Sequence, residues 1–133
     1  MNENEISTEL IGAAIEVHRC LGPGLLESTY RDCLYHELTL RGFQVEREKI
    51  VPLDYKGLVI GTGYRLDMVI EGSVIAELKS VHRLEAVHEA QLLTYLRLTG
   101  VRLGLLLNFY VPVLRQGIRR VVNNLAPETS QLR

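Results

Sequence analysis

The chain of 133 residues has little of what several function classes require. It holds two cysteines, Cys20 and Cys33, too few for a disulfide framework or a cysteine metal site. They read as buried free thiols, since free cysteine packs as a small hydrophobe. Basic excess is also missing: 15 Lys and Arg stand against 16 Asp and Glu, a net charge of −1. A protein that grips nucleic acid along many phosphates usually carries such an excess. Any nucleic-acid contact must therefore come from a local patch, a partner or a second subunit. No apolar run approaches the ~20 residues of a membrane helix; the longest, 103–107, is interrupted by Gly104 and stops at Asn108. The opening Met1-Asn2-Glu3-Asn4-Glu5 is acidic where a secretory signal is basic. No membrane contact is expected, and the chain reads as a cytoplasmic protein.

What is present suits one domain, 1–123, with a flexible tail over 124–133. Apolar residues make up 47% and charged residues 23%, which argues against wholesale disorder. Apolar positions Ile6, Leu10, Ala13, Ala14 and Val17 recur at helical spacing and predict a helix over 6–19. Leu21-Gly22-Pro23-Gly24 breaks it. A second helix over 26–41 carries the stripe Leu26, Tyr30, Leu34 and Leu38 and stops at Gly42. Strand texture follows over 43–53, then a turn at 54–57, then strand over 58–70 with glycines at 61 and 63 marking a bend. Segment 74–80 reads as strand, 82–98 as helix, and 101–108 as a strand covered on both faces. Ile118–Val122 reads as a short edge strand or a last helical turn, the strand favoured because Val121 and Val122 are β-branched. The order predicts an α/β (α+β) fold, a central sheet flanked by helices.

The hairpin across Glu71-Gly72-Ser73 concentrates the chemistry. A three-residue loop pairs Ile70 with Val74, Met68 with Ala76 and Leu66 with Leu78, all on one apolar face. The other face then receives Asp67 opposite Glu77 and Arg65 opposite Lys79. Directly opposed carboxylates repel, and a divalent cation between them turns that repulsion into binding. Hard ions such as Mg²⁺ are held by one or two carboxylates plus water and phosphate. Lys79, two residues from Glu77, is placed to orient an attacking water or to neutralise developing charge. The plainer alternative is a solvated lattice in which Arg65, Glu77, Lys79 and Asp67 satisfy one another.

Two helices add to this. His88, Gln91 and Tyr95 share a face with Leu84, while Val87, Leu93, Leu96 and Leu98 are left to pack the core. Glu27 lies in the first turn of the second helix, where it is a candidate site acid or simply a cap for free amides. Tyr30 lies three residues on, and His18, just before the break, reads as a packed or surface histidine that can approach the same region.

Together these residues resemble the PD-(D/E)xK nuclease superfamily, and within it the GxxExxY family. Gly24, Glu27 and Tyr30 stand at the naming motif; Asp67 followed by Glu77-Leu78-Lys79 is similar to the acidic residue and ExK signature. Gln91 with Tyr95 looks like the QxxxY helix motif of the exonuclease branch. Leu66 stands where the superfamily often has proline before the acid. The resemblance runs over about 11–123 and implies a restriction-endonuclease-like core with a mixed sheet. It implies a metal-dependent nuclease hydrolysing phosphodiester bonds in DNA or RNA, using Mg²⁺, with Mn²⁺ as a substitute. Asp67 and Glu77 would then be metal ligands, Lys79 would stand beside the water, and Glu27 would be an added acidic ligand or water-orienting group. Gln91 and Tyr95, with Tyr30 and His88, would be substrate or metal-shell positions.

A second class stays open: a non-catalytic module that binds nucleic acid or protein on the same fold. Arg102, Arg115, Arg119 and Arg120 are candidates for a phosphate-binding patch or are scattered surface charges. A homodimer is expected through 103–107 and the edge Ile118–Val122.

Overall fold

The computed structural model describes residues 1–61 and 63–125. Helix α1 spans Glu3–Leu21 and starts earlier than the apolar spacing alone predicts. Asn2 accepts from the Glu5 amide and Glu5 accepts from the Asn2 amide, each at 2.8 Å, a reciprocal cap that fixes the start. Helix α2, Glu27–Leu40, buries Tyr30, Leu34 and Leu38 as the stripe predicts. Leu26 departs from that stripe. It is the N-cap, its backbone is extended, and its side chain is 74% exposed.

The strands are shorter than the sequence texture suggests. Strand β1 is Val45–Ile50, β2 Leu53–Tyr55, β3 Leu58–Ile60 and β4 Arg65–Ile70. Pro52 lacks the amide that would continue the first strand. The turn narrows to Lys56-Gly57, both at positive φ, between the paired Tyr55 and Leu58. Strand β5 is Val74–Lys79, helix α3 Ala86–Thr99, β6 Leu103–Asn108 and β7 Ile118–Val122.

The five-stranded sheet runs β1-β4-β5-β6-β7, with β5 and β6 parallel and the other neighbours antiparallel. Helices α1 and α2 cover one face through Leu10, Val17, Tyr30 and Leu34 against Met68, Ala76, Leu78 and Leu105. Helix α3 covers the other with Leu92, Tyr95 and Leu96 against Ile75 and Leu106. This α+β arrangement, a mixed sheet flanked by helices on both faces, is the architecture expected above. Three local readings are corrected. Val87 and Leu98 are exposed, because the buried face of α3 is rotated to Leu92, Tyr95 and Leu96. Segment 103–107 offers no surface to a second copy, being enclosed between β5 and β7 and buried on both faces. Cys20 is exposed in the last turn of α1 beside Glu16, and Cys33 is half-buried, so the pair is not a set of core thiols.

Beyond β7, Leu125 packs against the α1–α2 core. The tail expected over 124–133 lies, from 126 onward, outside the described residues.

Gly117 shows how tightly the return from β6 to β7 is packed. A Cβ there would stand 2.2 Å from the Asn108 carbonyl oxygen, a backbone atom that cannot swing aside. Gly117→Ala is expected to cost roughly 1–3 kcal/mol by this overpacking, read from the shift of the urea midpoint at unchanged m-value.

Candidate active site

The hairpin pairs as predicted at its closed end and opens at the acids. Ile70 faces Val74, Val69 faces Ile75 and Met68 faces Ala76; there the regular pairing stops. The expected facing of Leu66 with Leu78 and of Arg65 with Lys79 does not form. Leu66 instead joins the α3-side core, while Met68 and Ile70 stay on the α1–α2 side, so β4 turns over at Asp67. On β1, Glu48 lies between the residues paired with Met68 and Leu66 and adopts φ +48°.

At the opening the side chains replace the ladder. The Asp67 amide donates to Glu77 Oε2 and the Leu78 amide donates to Asp67 Oδ2, both at 2.8 Å. Each acid is thereby locked to the opposite strand by its own carboxylate, which brings both to one place. Arg65 turns out to Glu48 at 3.2 Å, so the solvated four-charge lattice does not assemble.

Burial makes this an electrostatically costly spot. Glu77 is 6% exposed. Its loss of water, followed by repulsion from Asp67, lifts its pKa from the ordinary 4.5 to about 8. The Asp67 amide, then Lys79, pull the other way, and Glu27 adds further repulsion. Asp67 is raised too, chiefly by burial; the Leu78 amide, Arg31 and Lys79 oppose that, while Glu27 adds to it. The Tyr95 hydroxyl is pushed up by burial and by the negative charge of Glu77, with Tyr64 and Asp67 behind it.

The field therefore draws on α2, β4, β5 and α3 together. Arg31 and Tyr64 are functional candidates that the sequence motifs did not mark. Arg31 was findable, since it stands four residues after Glu27 on one helix face and its guanidinium meets that carboxylate at 2.8 Å. Tyr64 falls in the irregular approach to β4, where no periodicity points to it. With Leu53, Gln91, Thr94, Tyr95 and Leu98 it lines a small recess. Gln91 and Tyr95 thus share one wall beside the acids.

Other expected positions lie elsewhere. His88 Nδ1 accepts from the Glu85 amide at 2.8 Å and so caps α3. His18 is buried, its Nε2 2.8 Å from the Val111 carbonyl oxygen. Tyr30 belongs to the core: it stacks on Phe109 at 4.5 Å, donates to the Gly22 carbonyl and accepts from the Leu25 amide. Tyr30→Phe is expected to lose about 1–2 kcal/mol of stability by orphaning both loop groups, measured by urea unfolding with the far-UV spectrum unchanged. The arginines make no single patch. Arg102 reaches Glu3 and Arg120 reaches Asn4 on α1, whereas Arg119 approaches Glu89 on α3, across the sheet.

The donor set suits a hard divalent ion. Two carboxylates are forced together in a desolvated setting, each with one oxygen engaged by an amide and the other turned to no hydrogen-bond donor among the described residues. Mg²⁺ requires no more from a protein than one or two carboxylates, because water and phosphate complete its shell. Among the described residues, no three His, Cys, Asp or Glu side chains gather into a metal-holding group, so Glu27 stands near the pair without joining it.

No curated protein matches the chain. A crystal structure of a protein named SSO0001 is similar in fold, with a TM-score of 0.50 at 22% identity over 77% of this chain. The match spans 52% of that protein, about half its length. No described helix is long and apolar enough to cross a membrane. The sequence profile of the PD-(D/E)XK nuclease superfamily matches residues 4–121, nearly the whole sheet and all three helices. The paired acids at the mouth of the β4–β5 hairpin, with Lys79 beyond them, therefore sit in a chain that belongs to the PD-(D/E)XK nuclease superfamily.

Proposed function

We propose that the chain is a divalent-cation-dependent nuclease that hydrolyses phosphodiester bonds in DNA or RNA. The observation that carries this reading is the reciprocal capture of Asp67 and Glu77 across the opened hairpin, which no ladder requires. Asp67 and Glu77 would hold the ion, which supplies Lewis acidity and a more acidic water. Mg²⁺ is the natural candidate, with Mn²⁺ able to replace it on the same oxygen donors.

The chain's own groups do the rest. Lys79 forms no ion pair among the described residues, and its ammonium tempers the charge of both acids. It is free to meet the charge that grows on a phosphate during attack. Glu27, drawn to Arg31, adds negative potential at the edge and is placed to orient water. Gln91 and Tyr95 offer an amide and a hydroxyl to the substrate from α3. The likeness of Gly24, Glu27 and Tyr30 to the GxxExxY motif fits the same reading.

The test is to incubate pure protein with linear, circular, single-stranded and double-stranded DNA and RNA in Mg²⁺ or Mn²⁺. Metal-dependent cleavage by the wild type, strongly reduced in Lys79→Ala, supports the reading. Equal cleavage in both samples, or none with any substrate, removes it. The second reading, a module without catalysis, gains in its protein-binding form from the near-neutral charge and the engaged arginines. It predicts metal binding or strand binding with no product.

A further inference from the structure

We propose that a cleft at the carboxyl ends of β5 and β6 receives an unpaired nucleobase of the substrate strand, with the Tyr110 ring as its stacking surface. This rests on the nuclease reading and narrows its substrate class to strands whose bases are unstacked.

The cleft has a volume of about 380 Å³ and is lined by Pro23, Gly24, Tyr110, Val111 and Pro112. Its position follows from topology. Strands β5 and β6 run parallel, so their carboxyl ends meet at one edge, the place where open sheets bind ligands. Lys79 ends β5, and its carbonyl accepts from the Phe109 amide at 2.9 Å, one residue before Tyr110. The opposite wall, Pro23-Gly24, leads within three residues to Glu27. The Ser80 hydroxyl reaches the Leu25 carbonyl at 3.4 Å and ties the two walls together.

The lining suits a flat, weakly polar ring. Tyr110 is 42% exposed, and the His82 ring meets it at right angles with centroids 5.0 Å apart. The backbone at Tyr110, and at Val81 next to His82, is held by one buried side chain. Asn108 accepts from the Tyr110 amide at 3.2 Å and from the Val81 amide at 3.1 Å, and donates to the Val81 carbonyl at 2.9 Å. A stacking surface set on fixed backbone loses little freedom when a base arrives.

Charge argues against a long duplex as the occupant. The chain is net −1, and Arg102 and Arg119 already face Glu3 and Glu89. A long basic groove for duplex phosphates is not built among the described residues. A short unpaired segment presents fewer phosphates than a duplex, and stacking on an aromatic ring contributes roughly 1–3 kcal/mol per base whatever the base identity.

The sequence has no tryptophan, so Tyr110→Trp places a sole indole in the cleft. In EDTA, where no cleavage occurs, a short oligothymidylate is expected to quench that indole saturably, and a blunt duplex of equal length to do so far less. In anisotropy titrations with the same strand, Tyr110→Leu should weaken binding by roughly five- to a hundredfold relative to wild type. Tyr110→Phe should bind as wild type does. A strand that binds with the indole unquenched, or equal affinities for wild type and a folded Tyr110→Leu, overturns the proposal. So does quenching by an apolar peptide in place of the strand. Quenching without hydrolysis in Mg²⁺ would leave the cleft standing and remove the nuclease reading, whereas hydrolysis without quenching would do the reverse.

Discussion

Lys79→Ala is expected to lower cation-dependent phosphodiester hydrolysis by about a hundred- to a thousandfold in kcat, the usual effect of removing one charge-stabilising donor. The reason is local. Lys79 is a cation that acts on Asp67 and Glu77 and is committed to neither by an ion pair among the described residues. Its loss should leave cation binding in place or make it slightly tighter, because an opposing positive charge is gone. Calorimetric titration of Mg²⁺ into the variant separates the two effects. If Mg²⁺ affinity collapses along with kcat, Lys79 is supporting the fold of the acids rather than the transition state. Asp67→Ala should abolish both binding and activity, since it removes a donor oxygen and the partner of the Leu78 amide.

Glu77→Gln should make the metal-free protein more stable at pH 8 than the wild type, by on the order of 4 kcal/mol. The sign follows from the raised pKa. Glu77 keeps its proton in the folded state up to about pH 8, whereas the unfolded chain gives it up near 4.5. Its contribution is intact below the unfolded value and is lost as pH rises through the folded one, and the raised Asp67 acts in the same direction. Urea midpoints in EDTA should therefore fall for the wild type between about pH 5 and pH 8 and flatten above, with a much shallower slope in Glu77→Gln. A glutamine oxygen still accepts from the Asp67 amide, so the variant keeps the local geometry. A wild-type midpoint that climbs across that window would contradict the buried-acid account. Cation affinity must run the other way: an ion needs the acids ionised, so it should tighten by up to about tenfold per pH unit below 8.

How much of this was legible in sequence depended on how local each signal was. The apolar spacing of Ile6 to Val17 and of Tyr30, Leu34 and Leu38 gave both helices that cover one face. Loop length gave the closed end of the hairpin, because three residues fix the pairing of Ile70 with Val74. Alternation then failed at Asp67. Period-2 reasoning assumes an unbroken strand, and nothing in Arg65-Leu66-Asp67 announces that Leu66 will cross to the other core. The acids still met, but through their carboxylates and the opposite amides rather than by facing across a ladder. His88 illustrates the converse. Its spacing from Gln91 and Tyr95 placed it on their helix face, yet its position three residues after the N-cap gave it a closer partner in the Glu85 amide. Arg31 was missed because an ion pair along one helix turn is usually a surface ornament, and only the tertiary approach of α2 to β4 makes it act on Asp67.

The Tyr30 tether carries a mechanical implication. Its hydroxyl bridges Gly22 and Leu25 from the hydrocarbon side while its ring lies flat on Phe109. Helix α2 therefore cannot roll about its axis without tearing that bridge, and the aim of Glu27 is set from beneath, by an anchor that never meets solvent. Whatever presses on the short span between the two helices from outside must tilt the acid or break the anchor, so loop and acid move as one lever.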